Sequence, residues 1–305
     1  MTDIDRDKFK IIGCENADAD IIVRPNITFW QDAWRRLKKN KVATFSMYLL
    51  LLIILLCIIG PHLTKYSYRA QNMQIPNRMP FGDHWFGTDN LGRDMFARTW
   101  MAGRVSITIG IVGTLIEILV GSMYGGISGY FGGLVDDIMM RIVEIIVSIP
   151  YMIVVILVSL VLGRGMGALI IALCITGWTG IARIIRGQIM QLKESEYVLA
   201  AQALGANPMR IIMKHLIPNT IGLIIVYVSF DIPSFIFGEA FLSFIGLGIQ
   251  SPKTSWGAMA SSGQANFRFY PYQLLIPSLA ISLTMLSFNL LGDGLRDALD
   301  PRLRQ

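Results

Sequence analysis

From residue 42 to residue 291 the chain alternates apolar runs of about twenty residues with short polar stretches. A helix rises 1.5 Å per residue and a hydrocarbon layer is about 30 Å thick, so each run is long enough to cross a membrane. The pattern predicts six spans, over residues 42–60, 106–124, 142–162 with Pro150 inside it, 168–189, 221–245 and 271–291. The expected fold is therefore all-α, a polytopic membrane protein with six transmembrane helices. Between the spans lie an outer segment over 61–103, a glycine-rich turn at GGISGYFGG (125–133), a short turn at 163–167, a polar island over 193–219 and a second outer loop over 249–270. Residues 104–292 make up the core membrane unit, and 293–305 form a short charged tail.

Ahead of the first span, TFWQDAWRRLKKNK (28–41) predicts an interfacial helix opened by a Thr28/Gln31 capping box. Trp30, Trp34 and Leu37 fall on one side, with Arg35, Arg36, Lys38 and Lys39 around the other, the pattern of a helix lying along the bilayer surface. Residues 1–27 are mixed and without period, which predicts a loosely ordered tail. The first apolar run begins too far in for an ordinary cleaved signal peptide and is expected to remain as an anchor.

Glu117, Asp231 and Glu239 fall well inside predicted spans. A carboxylate at mid-membrane costs about 2.5–3.5 kcal/mol on insertion scales, so each should face protein or a water-filled path. All three are candidates for a translocation pathway. For Glu117 a structural hydrogen bond to a neighbouring helix fits as well. Pro233 beside Asp231 further suggests a broken or cavity-lining helix.

Composition narrows the class. The chain is 53% hydrophobic and only 16% charged, against about 25% charged in soluble domains, which excludes a soluble core. A net charge of +6 raises nucleic acid as a partner, but nine of the 27 Lys and Arg lie in residues 1–41 and the rest flank apolar runs, so the basic surface belongs with membrane lipid. Cys57 and Cys174 sit in spans and Cys14 in the tail, implying neither a disulfide framework nor a metal cluster. With six spans both ends share one side. Placing them in the cytoplasm puts eighteen Lys and Arg inside and nine outside, as the positive-inside rule favours. Six of those nine lie in residues 61–104, a long segment of the kind that translocates with little regard to charge.

The island KESEYVLAAQALGANPMRIIMKHLIPN (193–219) reads as a helix, a turn and a second helix. Glu194 and Glu196 favour a helix start, Ala200, Ala201 and Ala203 are strong helix formers, and Gly205 closes the helix after about Leu204. Asn207 then caps a new helix whose first position is Pro208. Met209, Ile212 and Leu216 share one face of it, with Arg210 and Lys214 on another, and Pro218 ends it. Such a pair either links two spans or sits in a groove on another protein.

The spacing of this island, Ala200-Ala201, three residues, Gly205, and Pro218 thirteen residues on, resembles the cytoplasmic coupling loop of bacterial ABC importer permeases. Three further stretches resemble the oligopeptide and dipeptide branch of that family: GTDNLGRD (87–94), FLSFIGLGIQSPKTSWGAM (241–259) and the ending GDGLRDALDPRLRQ (292–305). Leu199 departs from the pattern, standing where the family usually has Glu. His215 replaces the general aliphatic and looks like the peptide branch. The resemblance implies a type I ABC importer permease fold in a bacterial inner membrane. It implies a second homologous permease subunit, two ABC ATPase subunits that bind ATP and Mg, an extracytoplasmic substrate-binding protein, and no cofactor in this chain. Glu196, Ala200, Ala201, Gly205, Asn207, Pro208, His215 and Pro218 would then meet the ATPase. Oligopeptides come first as cargo and dipeptides next, with nickel chelates or glutathione-like molecules as the alternative.

Other classes fit less well. The chain has no G-x-x-x-x-G-K-[ST] phosphate loop, so any nucleotide chemistry belongs to a partner and the chain itself is not an enzyme. Gly126-Ile127-Ser128-Gly129 resembles the G-x-S-G of rhomboid-type proteases, but His62, His84 and His215 all lie outside the spans and no base can reach Ser128. An ion-coupled secondary transporter could use the three membrane acids, yet no inverted repeat appears in the spans.

Overall fold

The computed structural model describes residues 28–300; the predicted tail over 1–27, with Cys14, and residues 301–305 lie outside the described residues. Twelve α-helices and one π-helical turn carry the fold, with no strand among the described residues. In order these are α1 (Phe29–Lys39), α2 (Lys41–Leu63), α3 (Met95–Phe131), α4 (Gly133–Ser148), α5 (Tyr151–Leu162), α6 (Met166–Leu192), α7 (Glu196–Ala203), α8 (Pro208–Ile211), the π turn Ile212–Leu216, α9 (Ile217–Asn219), α10 (Ile221–Phe244), α11 (Trp256–Ala265) and α12 (Tyr272–Leu299). Helices α2, α3, α6, α10 and α12 are each long and apolar enough to cross a membrane. Helices α4 and α5 make a sixth crossing if taken together, but they meet at 81°. Pro150 causes that bend: it offers no N–H and forces Ile149 into extended backbone, φ −88° and ψ 130°.

Helices α3 and α6 form the centre. Gly121, Gly125 and Gly129 recur every four residues on the face of α3 turned to α6, and a Cβ on any of them would run into α6 backbone. At Gly121 it would lie 2.6 Å from the Trp178 carbonyl oxygen, at Gly129 2.8 Å from that of Arg186, and at Gly125 it would overlap that of Ala182. Small residues at this spacing let two membrane helices approach closely. The glycine-rich turn expected over 125–133 is therefore wrong for most of its length, because α3 stays helical to Phe131. The turn itself is confined to Gly132 and Gly133, with φ +65° and +51°.

Two further expectations change. Helix α10 is not broken, since it runs through Pro233 from Ile221 to Phe244. Helix α12 does not stop at residue 291 but continues to Leu299, so most of the predicted charged tail is helical. On α1 the capping box forms, with Thr28 N–H donating to Gln31 Oε1 at 3.1 Å. Its apolar face is divided, however. Leu37 and Ala33 are buried, Leu37 against Ala43 and Ala298, whereas Trp30 and Trp34 remain 52% and 46% exposed.

Helix α2 is tied to α3 at its C-terminal end. Pro61 cannot donate to the Cys57 carbonyl one turn back, and Arg104 of α3 fills the gap by donating from Nε to Cys57 O and from Nη2 to Ile58 O. The segment over 64–94 is held by charge and by backbone contact. Asp89 accepts from Leu91 N and Arg93 N at 2.9 Å and from Arg93 Nε at 2.6 Å, with Arg98 Nε at 3.3 Å. Asp94 caps α3 through Ala97 N at 2.8 Å and meets His84 Nδ1 at 2.8 Å. GTDNLGRD is thus an ion-paired, buried clasp at the head of α3.

If close backbone approach holds α3 to α6, Gly125→Ala should cost about 1–3 kcal/mol, the usual penalty for overpacking. It would appear as a lower thermal-unfolding midpoint of the purified protein. Gly187→Ala, on the same α6 helix but with open space around it, should leave the midpoint in place.

Candidate functional site

The island over 193–219 folds as two short helices braced on the core. Ser195 is the N-cap residue of α7, and Glu196 occupies its first turn. Gly205 takes φ +76°, a conformation that costs a side chain about 1–2 kcal/mol, and closes the turn by donating to Gln202 O at 2.9 Å. Asn207 Oδ1 accepts from Met209 N at 3.0 Å, with Pro208 at the first position of α8. Beneath the pair, Val198, Ile211, Ile212 and Leu216 are buried against Ile181, Ile185 and Ile189 of α6.

The outward side is apolar. Tyr197, Leu199, Met209 and Met213 are 40–50% exposed and Leu204 is 88% exposed. Ala200 and Gly205 are exposed as well, and Ala201 is half-buried. A Cβ on Gly205 would meet nothing within 4 Å, so this chain leaves the space over it open. His215 is half-buried, and its carbonyl accepts from Asn219 Nδ2 at 2.5 Å.

Two details differ from expectation. Met209 does not share a face with Ile212 and Leu216, because the chain widens into a π turn over Ile212–Leu216 and the buried set becomes Ile211, Ile212 and Leu216. Pro218 does not end the second helix. It sits in the first turn of α9, where its missing N–H is harmless, and the break falls at Thr220.

At the base of the pair lies an ion pair that sequence reading missed. Arg186 of α6 donates from both Nε, at 2.5 Å, and Nη2 to the two oxygens of Asp136 on α4, and Ser128 of α3 donates to the same carboxylate. Three helices converge there. The partner lies 50 residues away in sequence and nothing local signals the pairing.

The three membrane acids separate into two environments. Glu239 is 0% exposed and fully served: Ser106 Oγ donates to Oε2 at 2.8 Å and Ser243 Oγ to Oε1 at 2.6 Å. Ser106 in turn accepts from Trp256 N at 3.2 Å, and Trp256 Nε1 donates to Thr99 O at 2.8 Å. Glu239 is thus a closed node joining α3, α10 and α11, and no open face reaches it. Glu117 and Asp231 instead lie together. Glu117 is 2% exposed and rests on Gly177 of α6, where a Cβ would overlap its carboxyl oxygen. Asp231 is half-buried, with Thr114, Glu117 and Tyr227 as its polar neighbours. Among the described residues no group of three or more His, Cys, Asp or Glu is arranged to hold a metal ion.

The apolar spans, the bent pair and the acids buried between helices define a helical, multi-pass membrane protein. Residues 118–305 match the family described as binding-protein-dependent transport system inner membrane component, and residues 28–80 match the N-terminal transmembrane domain of oligopeptide transport permease C. The chain belongs to this family of bacterial ABC importer permeases. It is 50% identical over 292 residues to the dipeptide transport system permease protein of Bacillus subtilis (strain 168), an alignment covering 95% of this chain and 91% of that one. It is 45% identical over 305 residues to the oligopeptide transport system permease protein of the same organism, covering 100% of both. Against the glutathione transport system permease protein of Pectobacterium atrosepticum it is 38% identical over 280 residues, covering 91% and 92%.

Because Ile212 is a brace under α7 and α8, Ile212→Ala should remove about 2–5 kcal/mol of packing. The expected result is faster limited proteolysis within 193–219, with cleavage elsewhere unchanged.

Proposed function

We propose that this chain is one permease subunit of an ATP-driven importer of peptides in the bacterial cytoplasmic membrane. The similarity to oligopeptide and dipeptide permeases along its whole length carries the reading of the cargo. Oligopeptides come first and dipeptides next; glutathione-like molecules stand behind them, since that relative is less similar. Both termini lie in the cytoplasm, the segment over 61–103 and the loop over 249–270 lie outside, and a second homologous permease completes the pathway. An extracytoplasmic binding protein delivers the peptide. Two ABC ATPases hold ATP and Mg.

In this reading α7 and α8 dock in the ATPase, led by Glu196, Ala200, Ala201 and Gly205, with Asn207 and Pro208 fixing the turn and His215 and Pro218 the return to the membrane. The outward Leu204, Leu199 and Met209 support such a docking face, being large apolar side chains left uncovered by the chain itself. Closure of the ATPases on ATP would draw the docked pairs together and reorient the spans, and hydrolysis would reset them. Moving a 1:99 equilibrium to 99:1 takes about 5.5 kcal/mol of differential binding. A pair braced by buried isoleucines can transmit that without deforming.

The test is Gly205→Val in the reconstituted importer. The permease should remain assembled in the membrane and the ATPase should turn over, but peptide uptake per ATP hydrolysed should fall to background. Normal uptake by the variant, or failure of a Cys placed at Ala201 to crosslink to the ATPase, would remove the docking role.

A further inference from the structure

We propose that Glu117 and Asp231, with Thr114 and Tyr227, form an intramembrane receptor for the terminal ammonium group of a peptide in transit. This rests on the peptide-importer reading and adds to it a recognition element inside the membrane.

The geometry starts at Gly177. Any side chain there would overlap the Glu117 carboxyl, so α6 offers that group a flat backbone surface and leaves it pointed toward α10. There it faces Asp231 of α10. The neighbouring titratable groups are Tyr227 on α10, Tyr151 on α5 and Cys174 on α6, none of them a cation. None of the ion pairs among the described residues involves either acid. Every other buried acid among the described residues is matched: Asp89, Asp94 and Asp136 by Arg or His, and Glu239 by serines.

A second observation points to a missing donor. Asp231 Oδ2 and Thr114 Oγ1 are both buried with no hydrogen-bond partner in the chain, and Thr114 is 1% exposed. Buried polar atoms in native proteins are normally paired, and inside a membrane the need is greater. A primary ammonium supplies what is absent, one positive charge and three N–H donors on a single atom. A hard metal ion suits the site less, since calcium takes six to eight oxygen ligands and magnesium demands a near-ideal octahedron.

The site is also reachable. Asp231 and Tyr227 are half-buried on α10, Ser234 one turn on is exposed, and Tyr151 is 39% exposed. Gly180 of α6 is exposed opposite the Tyr227 hydroxyl, which would lie 3.2 Å from a Cβ there. Small residues on α6 thus keep the approach to the acids open. A transit site must hold its ligand and still release it.

The experiment titrates the purified importer, without its binding protein, with trialanine amide and with N-acetyl-trialanine amide by calorimetry. The two probes differ in the ammonium alone. The native importer should bind the free amine about tenfold more tightly. Asp231→Asn and Glu117→Gln should abolish that preference, Asp231→Glu should keep it, and Thr114→Val should reduce it, each variant remaining folded by its thermal midpoint. Equal binding of the two probes by the native importer, no binding of either, or a preference surviving in Asp231→Asn overturns the receptor. Trialanine uptake by the native importer in proteoliposomes separates the outcomes: uptake without amine preference removes only the receptor, whereas no uptake removes the importer reading on which it rests.

Discussion

The contact of α3 with α6, backbone against backbone, is the constraint from which most of this protein follows. Lipid gives helices no hydrophobic reason to associate, so close van der Waals approach and buried hydrogen bonds must hold them. Gly121, Gly125 and Gly129 allow that approach. Once it is made, Ile181, Ile185 and Ile189 on the neighbouring faces of α6 stand where α7 and the π turn can settle on them. The same contact brings Ser128 to the Asp136–Arg186 pair and sets Glu117 on Gly177. Loop, ion pair and acid cluster occupy successive levels of one helix pair.

The half that carries the 64–94 segment is built differently. There polar side chains do the joining, with Glu239 collecting Ser106 and Ser243 while Trp256 fills the space over Gly103. Tyr272 donates to Thr88 O at 2.7 Å and so ties the start of α12 to the clasp before α3. That end is thus joined mainly by directional bonds, and the other end by the aliphatic packing under α7 and the π turn together with the Asp136–Arg186 pair.

Much of this was legible in the sequence, for identifiable reasons. Span length follows from bilayer thickness, so the apolar runs could be counted, and Pro150 announced the bend between α4 and α5 because proline leaves the chain few options. The island was legible because Gly205, Asn207 and Pro208 each have a narrow conformational use. GGISGYFGG misled because glycine serves two ends, turning a chain or letting another helix near, and only the neighbour decides between them. Met209 was misplaced because a π turn shifts helical phase without leaving a residue signature. The three acids looked alike in sequence; the bond from Ser106 to Glu239 spans 133 residues, and only the fold shows which acid is served and which is left wanting.

Arg104 has a consequence beyond its two hydrogen bonds. Helix α2 buries a stripe from Ala43 through Leu50, Ile53 and Cys57 to Gly60, and its rotation is pinned further at one end by Asn40, which caps it, and at the other by a guanidinium reaching to Cys57 and Ile58. Pro61 opens the lock that Arg104 fills, so the two positions form a matched pair contributed by different helices. A chimera that exchanged the first membrane helix between relatives would have to carry both halves, or the transplanted helix would enter the bilayer with its carbonyls bare and its register undefined.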